Sequence, residues 1–306
     1  MRALPFLPSL LRPSVAFIKA TALDLAILAG HAVLYPTGVI QESPPTVPAP
    51  TQPAELTGSP GTGPSEAGAA AAPGAATATE AAETPRLPTD GTPRASRVPV
   101  LLLHGFIDNR SVFVLLRRSL RQHGWDHVEA LNYSPLSCDI RAAASLLGKH
   151  IEEVCERTGH SKVDVVGHSL GGLIARYYVQ RLGGDVRVRS LVTLGTPHSG
   201  TRAVPLLSAH PIVRQMRPDS DVIQELAEPA EGCTTHFVSF WSDLDQLMAP
   251  LETAQVHHPD LIAQNVQVSG IGHLALPVHG AVAAGIREAL DAAGSAGGAS
   301  EAASVA

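Results

Sequence analysis

The pentapeptide Gly167-His168-Ser169-Leu170-Gly171 has the residue types and spacing of a nucleophile. Gly-x-Ser-x-Gly is short enough to arise by chance, so its flanks decide. VDVV precedes it with the pattern of a buried strand, and LIARYYVQ follows it with the pattern of a helix. A sharp strand-to-helix turn exposes a serine hydroxyl at the top of a sheet. The helix start behind the serine offers backbone N–H groups and a positive dipole end to a developing oxyanion. Ser169 is therefore expected to attack a carbonyl, rather than to fill a glycine-rich turn without chemistry.

A serine nucleophile needs a base, and the base needs an acid to hold its tautomer. The chain offers 14 histidines, so position must select among them. On strand-elbow-helix scaffolds the acid and then the histidine follow the serine in the chain. His273, in Gly270-Ile271-Gly272-His273, follows the final expected strand and precedes the final helix. His279 competes with it but begins that helix. His257 and His258 fall in a surface loop, while His168 and His198 are read as supporting residues. The stretch WSDLDQLMAP offers Asp243 and Asp245 as acids, and the spacing alone leaves both open. The Asp not used would cap its turn. His104, which ends the strand RVPVLLL, is read as a histidine holding its loop.

These residues demand a scaffold that brings distant segments to one edge. RVPVLLLHG, KVDVVGHS, RSLVTLGTP, THFVSFWS and NVQVSG read as five strands. Residues 139–157, LGGLIARYYVQRL and HGAVAAGIREAL read as helices, the first with Ile140, Ala143, Ala144, Leu147, Ile151 and Val154 at helical spacing. Strands alternating with helices imply a mostly parallel sheet covered on both faces. Residues 201–232 carry Leu206, Leu207, Ile212, Val213, Met216, Val222, Ile223 and Leu226. That excursion is expected either to line an acyl pocket or lid, or simply to pack.

LLLHGF, VDVVGHSLGGLIARYY and LVTLGTPHSGT together resemble the bacterial lipases and esterases of the α/β-hydrolase superfamily, including small triacylglycerol lipases and actinobacterial relatives. The resemblance covers residues 97–292. It implies an α/β-hydrolase fold, an ester substrate of lipid type, and no metal or organic cofactor. By the same resemblance Asp245 is the preferred acid, and the oxyanion is held by the backbone N–H groups of Phe106 and Leu170. The expected reaction passes through an acyl-enzyme. An acyltransferase using the same three side chains, an amidase, and a non-catalytic membrane-tethered binding protein are the alternatives.

The rest of the chain differs in composition. Residues 1–42 contain an apolar run, SVAFIKATALDLAILAGHAVLY, interrupted by Lys19, Asp24 and His31. On a helix Ser14, Thr21, Asp24 and His31 share one arc of roughly 100°. The run has the length of a bilayer core, but a carboxylate at its middle is costly there. A membrane anchor, an interfacial helix and a helix packed on the catalytic domain all fit; membrane association through residues 14–40 is favoured, with a membrane-bound or secreted location. Residues 43–96 are rich in Pro, Ala, Gly, Thr and Ser and are expected to be a disordered tether, so that the helix need not touch the catalytic domain. Residues 293–306 are expected to fray.

The net charge of −6 argues against an electrostatic grip on nucleic acid. With aromatics at only 4%, the core falls to Leu, Val, Ala and Ile. Three cysteines, Cys138, Cys155 and Cys233, leave at least one without an intramolecular partner.

Overall fold

A computed structural model describes residues 14–38, 97–133, 139–203 and 210–303. The expected tether at 43–96 lies outside the described residues, as do Cys138, Leu206 and Leu207. Cys155 and Cys233 are free thiols.

The first element is the helix α1 (Val15–Gly38). The sheet-bearing part begins with β1 (Val100–Leu103), whose four residues VLLL are all buried. A 3-10 turn over Arg110–Phe113 leads into α2 (Val114–Gln122), and β2 (Val128–Leu131) follows. Then come α3 (Ile140–Thr158), β3 (Val163–His168), α4 (Leu170–Arg181) and β4 (Val188–Leu194). Two single-turn helices, α5 (Pro211–Gln215) and α6 (Asp221–Glu225), form the excursion before β5 (His236–Ser242). The chain closes with β6 (Ile262–Val268) and α7 (Gly280–Ala303).

The six strands are parallel, in the order β2-β1-β3-β4-β5-β6. One core fills the face under α3 and α4; the other fills the face under α2 and α7. A sheet buried on both faces explains why its central strands are runs of Val and Leu rather than alternating patterns. Strand order reverses between β1 and β3. Open parallel sheets place their crevice outside the carboxyl ends of the strands at such a switch. Register aligns those ends: Leu103 pairs with Gly167, His168 with Leu194, Leu194 with Phe240, and Ser242 with Val268. The segments after β1, β3, β4, β5 and β6 therefore emerge at one edge.

α3 begins where the Asp139 carboxylate accepts from the Ala142 N–H at 2.7 Å, and ends at Gly159, whose N–H donates to the Cys155 carbonyl at 2.9 Å. The excursion is fixed to the helical layer through Arg176. This α4 side chain is buried, and its guanidinium donates to the carbonyls of His198 at 2.9 Å and Leu226 at 3.0 Å. Desolvation pulls the arginine down to about 10.

Three features add to the sequence reading. β2 and α2 stand where no element was expected, and β2 extends the sheet by an edge strand. α7 continues to Ala303, past the point at which fraying was expected. The N-terminal helix packs on the sheet-bearing part: Ala20 is buried and Ile27 packs on the α2/α7 core. Among the described residues no helix is long and apolar enough to cross a membrane.

Candidate active site

β3 delivers Ser169 into a tight elbow. Its backbone sits at φ 52°, ψ −119°, the sole positive φ at a non-glycine among the described residues. Such a conformation costs of order 1–3 kcal/mol and persists only where neighbours enforce it. Here the Ser169 N–H donates to the Leu194 carbonyl at 2.9 Å, while the Ser169 carbonyl accepts from the Gly172 N–H and the Thr196 hydroxyl, each at 3.0 Å. The end of β4 thus clamps the turn.

His273 follows β6 and is buried. Its Nδ1–H donates to Asp245 Oδ2 at 2.7 Å. With Nδ1 committed, the basic lone pair lies on Nε2. Asp245 is held in turn, its Oδ1 accepting the Leu247 N–H at 2.9 Å. Burial alone would lower the imidazole, but the Asp245 carboxylate outweighs it, helped by Asp108 and Asp24, so His273 is raised above the ordinary histidine value. Asp243 points elsewhere: its Oδ1 accepts the Gly270 N–H at 2.8 Å. It braces the loop that carries His273.

The other named residues fall around this pair. Phe106 lines the cavity above Ser169, and Leu170 is the first residue of α4, directly behind the serine. His104 is stacked on Tyr133 at 4.4 Å and donates from Nδ1 to the Gly105 carbonyl at 2.8 Å. Burial keeps its imidazole below the ordinary value and hence neutral. His198 is likewise buried, its Nε2 2.9 Å from the Thr193 hydroxyl, and depressed by desolvation and by Arg176.

His168 takes the supporting part read for it from the sequence, whereas Asp108, Ser242 and Gly195 were not singled out there. His168 Nε2 donates to the His273 carbonyl at 3.2 Å, and its Nδ1 faces Asp108 Oδ2 at the same distance. Asp108 sits three residues past Gly105, and nothing in its local pattern marks it. The Ser242 hydroxyl donates to the Ile271 carbonyl and so joins the end of β5, just before Asp245, to the loop that carries His273. Gly195, at φ 53°, passes so close that a Cβ would lie 2.8 Å from Asp245 Oδ2 and 3.0 Å from His273 Nδ1. Its signal was present in LVTLGTP, where the glycine directly follows a strand.

The cavity is about 180 Å³. Phe106, Ile107, Val213, Met216, Leu247, Met248 and Leu274 give it apolar walls; Ser169, His273, Asp108 and His168 supply polar groups. The excursion therefore divides its labour. Val213 and Met216 reach the cavity, whereas Val222, Ile223 and Leu226 serve the core under α3 and α4. Such a site can take an apolar acyl chain with its carbonyl at Ser169. Among the described residues no group of three or more His, Cys, Asp or Glu is arranged to hold a metal ion.

Comparison with known proteins agrees with this architecture. A family model described as palmitoyl protein thioesterase matches residues 99–257. A triacylglycerol lipase of Burkholderia plantarii is 34% identical over 128 residues, 39% of this chain and 35% of that enzyme. A triacylglycerol lipase of Pseudarthrobacter phenanthrenivorans is 33% identical over 115 residues, 35% of each chain. The chain thus spans about a third of the length of the curated relatives it matches. Among solved structures, Bacillus licheniformis lipase BlEst2 in its mature form superposes with a TM-score of 0.52 at 14% identity, covering 61% of this chain and 89% of that one. Aspergillus fumigatus lipase B gives 0.53 at 16% identity, over 59% and 49%. The fold is that of the α/β-hydrolases.

Proposed function

We propose that this chain, which belongs to the palmitoyl protein thioesterase family through its match over residues 99–257, is a serine hydrolase that releases an apolar acyl group from a carboxylic ester of lipid type. The observation that carries the reading is the buried His273–Asp245 pair beside Ser169 at the edge of an apolar cavity. His273 Nε2 takes the Ser169 proton as the hydroxyl attacks the ester carbonyl. The Phe106 and Leu170 N–H groups receive the oxyanion. His273 then gives its proton to the leaving alcohol, leaving an acyl-enzyme. A water deprotonated by the same nitrogen releases the carboxylic acid and restores Ser169.

The family match favours one second reading, a thioester substrate. Attack falls on the same acyl carbonyl, and the leaving group is a thiol. Acyl esters and acyl thioesters of equal chain length separate the two by their kcat/KM.

The outward side of α1 supports contact with a lipid surface. Val15, Ile18, Leu23 and Leu25 are exposed there, with the exposed Lys19 among them. Apolar side chains with a basic residue that can snorkel suit the boundary between headgroups and acyl chains.

The direct test is p-nitrophenyl ester hydrolysis, from short to long acyl chains, by wild type and Ser169→Ala, together with fluorophosphonate labelling. Turnover and labelling in the wild type, both lost in the variant, are expected. Folded wild type that neither labels nor turns over any ester or thioester would refute the enzyme.

A further inference from the structure

We propose that Asp24 of the N-terminal helix is a positioning residue for the His273 loop, so that α1 completes the hydrolytic site from the far end of the chain. This rests on the reading of His273 as the base.

The Asp24 carboxylate lies flat against Gly272, where a Cβ would come within 2.2 Å of Oδ2 and 2.5 Å of Cγ. Its Oδ1 accepts the Ala275 N–H at 3.2 Å. Asp24 therefore touches the chain on both sides of His273. One turn earlier on the same helix, the Thr21 hydroxyl accepts from Gln246 Nε2 at 2.6 Å, and Gln246 directly follows Asp245. One face of α1 thus grips the loop of the base and the loop of the acid separately.

The chemistry of the contact argues that it has a use. A half-buried carboxylate loses hydration, and burial raises Asp24 above the ordinary carboxylate value. An apolar residue there would dock the helix without that penalty. The helix instead turns Asp24 inward and leaves Ile18 and Leu25 exposed. What a carboxylate adds is an acceptor for the loop and a negative charge near the imidazole. His273 is faced by Asp245 from the loop after β5, Asp108 from the loop after β1, Asp24 from α1 and the His168 ring from the elbow. Removing the Asp24 charge lets the imidazolium lose its proton more readily.

The test uses the full-length chain and p-nitrophenyl butyrate, with active sites counted by fluorophosphonate titration. Asp24→Ala should lower kcat about tenfold with KM changed less than about twofold, because the base is misplaced while the walls that bind the substrate are intact. Its acid limb in the pH–rate profile should move to lower pH. Asp24→Asn keeps an oxygen for Ala275; it should recover part of kcat yet retain the displaced limb. NMR titration of the His273 imidazole should show the same displacement without reference to turnover. Both variants matching wild type in kcat and in His273 titration would overturn the inference. So would a fall in Tm with kcat per titrated site and the His273 titration unaltered. If wild type hydrolyses no ester, the proposed function fails, and the NMR displacement alone then decides whether Asp24 sets this histidine.

Discussion

Ser169 holds a conformation that serine does not choose for itself, and the strain is measurable. Ser169→Gly should abolish turnover while raising stability to urea by about 1 kcal/mol, since glycine accepts φ 52° without a Cβ penalty but gains freedom when unfolded. The two aspartates of WSDLDQLMAP differ in partner and should differ in effect. Asp245→Ala is expected to reduce kcat by about 10³–10⁴, and Asp243→Ala by less than about tenfold, under steady-state ester hydrolysis. Gly195→Ala would drive a methyl into the Asp245–His273 pair and should lower kcat at least about 10²-fold with binding little changed. The pH dependence follows from the same pair. His273 is raised by Asp245, so its charged form persists above the usual imidazole value, and kcat should fall with acid on a limb centred above that value. The pair's contribution to stability runs the other way: fully present below the unfolded imidazole value, it is lost as pH rises through the folded one. A pH–rate profile beside a pH–Tm profile checks both. In the sequence, Ser169 and His273 were legible from motif and position. Asp245 came from resemblance, because Asp243 differs from it only by two steps along a loop. Asp24 and Asp108 were invisible as site residues, since hydrogen bonds spanning 251 and 60 residues leave no local trace.

The elements were legible in proportion to the length and regularity of their apolar pattern. β1, β3, β4 and β5 announced themselves as apolar runs because helices cover both faces of the sheet. β2 is four residues at an edge with a glutamate in it, and α2 is short and rich in arginine. Neither carries a long enough period to stand out. β6 was found by its valines yet is mostly exposed, as an edge strand can be. Arg176 shows how an element can be tied by one side chain. It joins α4 to the His198 carbonyl and the excursion's Leu226 carbonyl inside the protein. Arg176→Ala should cost about 3 kcal/mol in urea unfolding by orphaning buried carbonyls. Because Val213 and Met216 line the cavity, the same variant should weaken binding of long acyl chains more than short ones.

Across the whole molecule, the N-terminal helix is turned inside out relative to an ordinary surface helix: Asp24 faces protein while Ile18 and Leu25 face outward. If that outward side meets a lipid surface, the double change Ile18→Gln and Leu25→Gln should reduce flotation with phosphatidylglycerol vesicles at least about tenfold. Hydrolysis of soluble p-nitrophenyl butyrate should be unaffected. The sequence disclosed the mixed character of this segment, but hydropathy alone could not tell which side would face the protein.

The Asp24–Ala275 bond also sets an order of events in biogenesis. Its two ends lie 251 residues apart, so the helix lacks this part of its seat until the loop after β6 has been made. Local contacts form before such distant ones, whose closure carries the larger entropic cost. The parallel sheet can be assembled while α1 still awaits its seat. During that interval the helix carries its apolar side chains uncovered on a nascent chain, a binding target for chaperones and lipid before its inner face is covered.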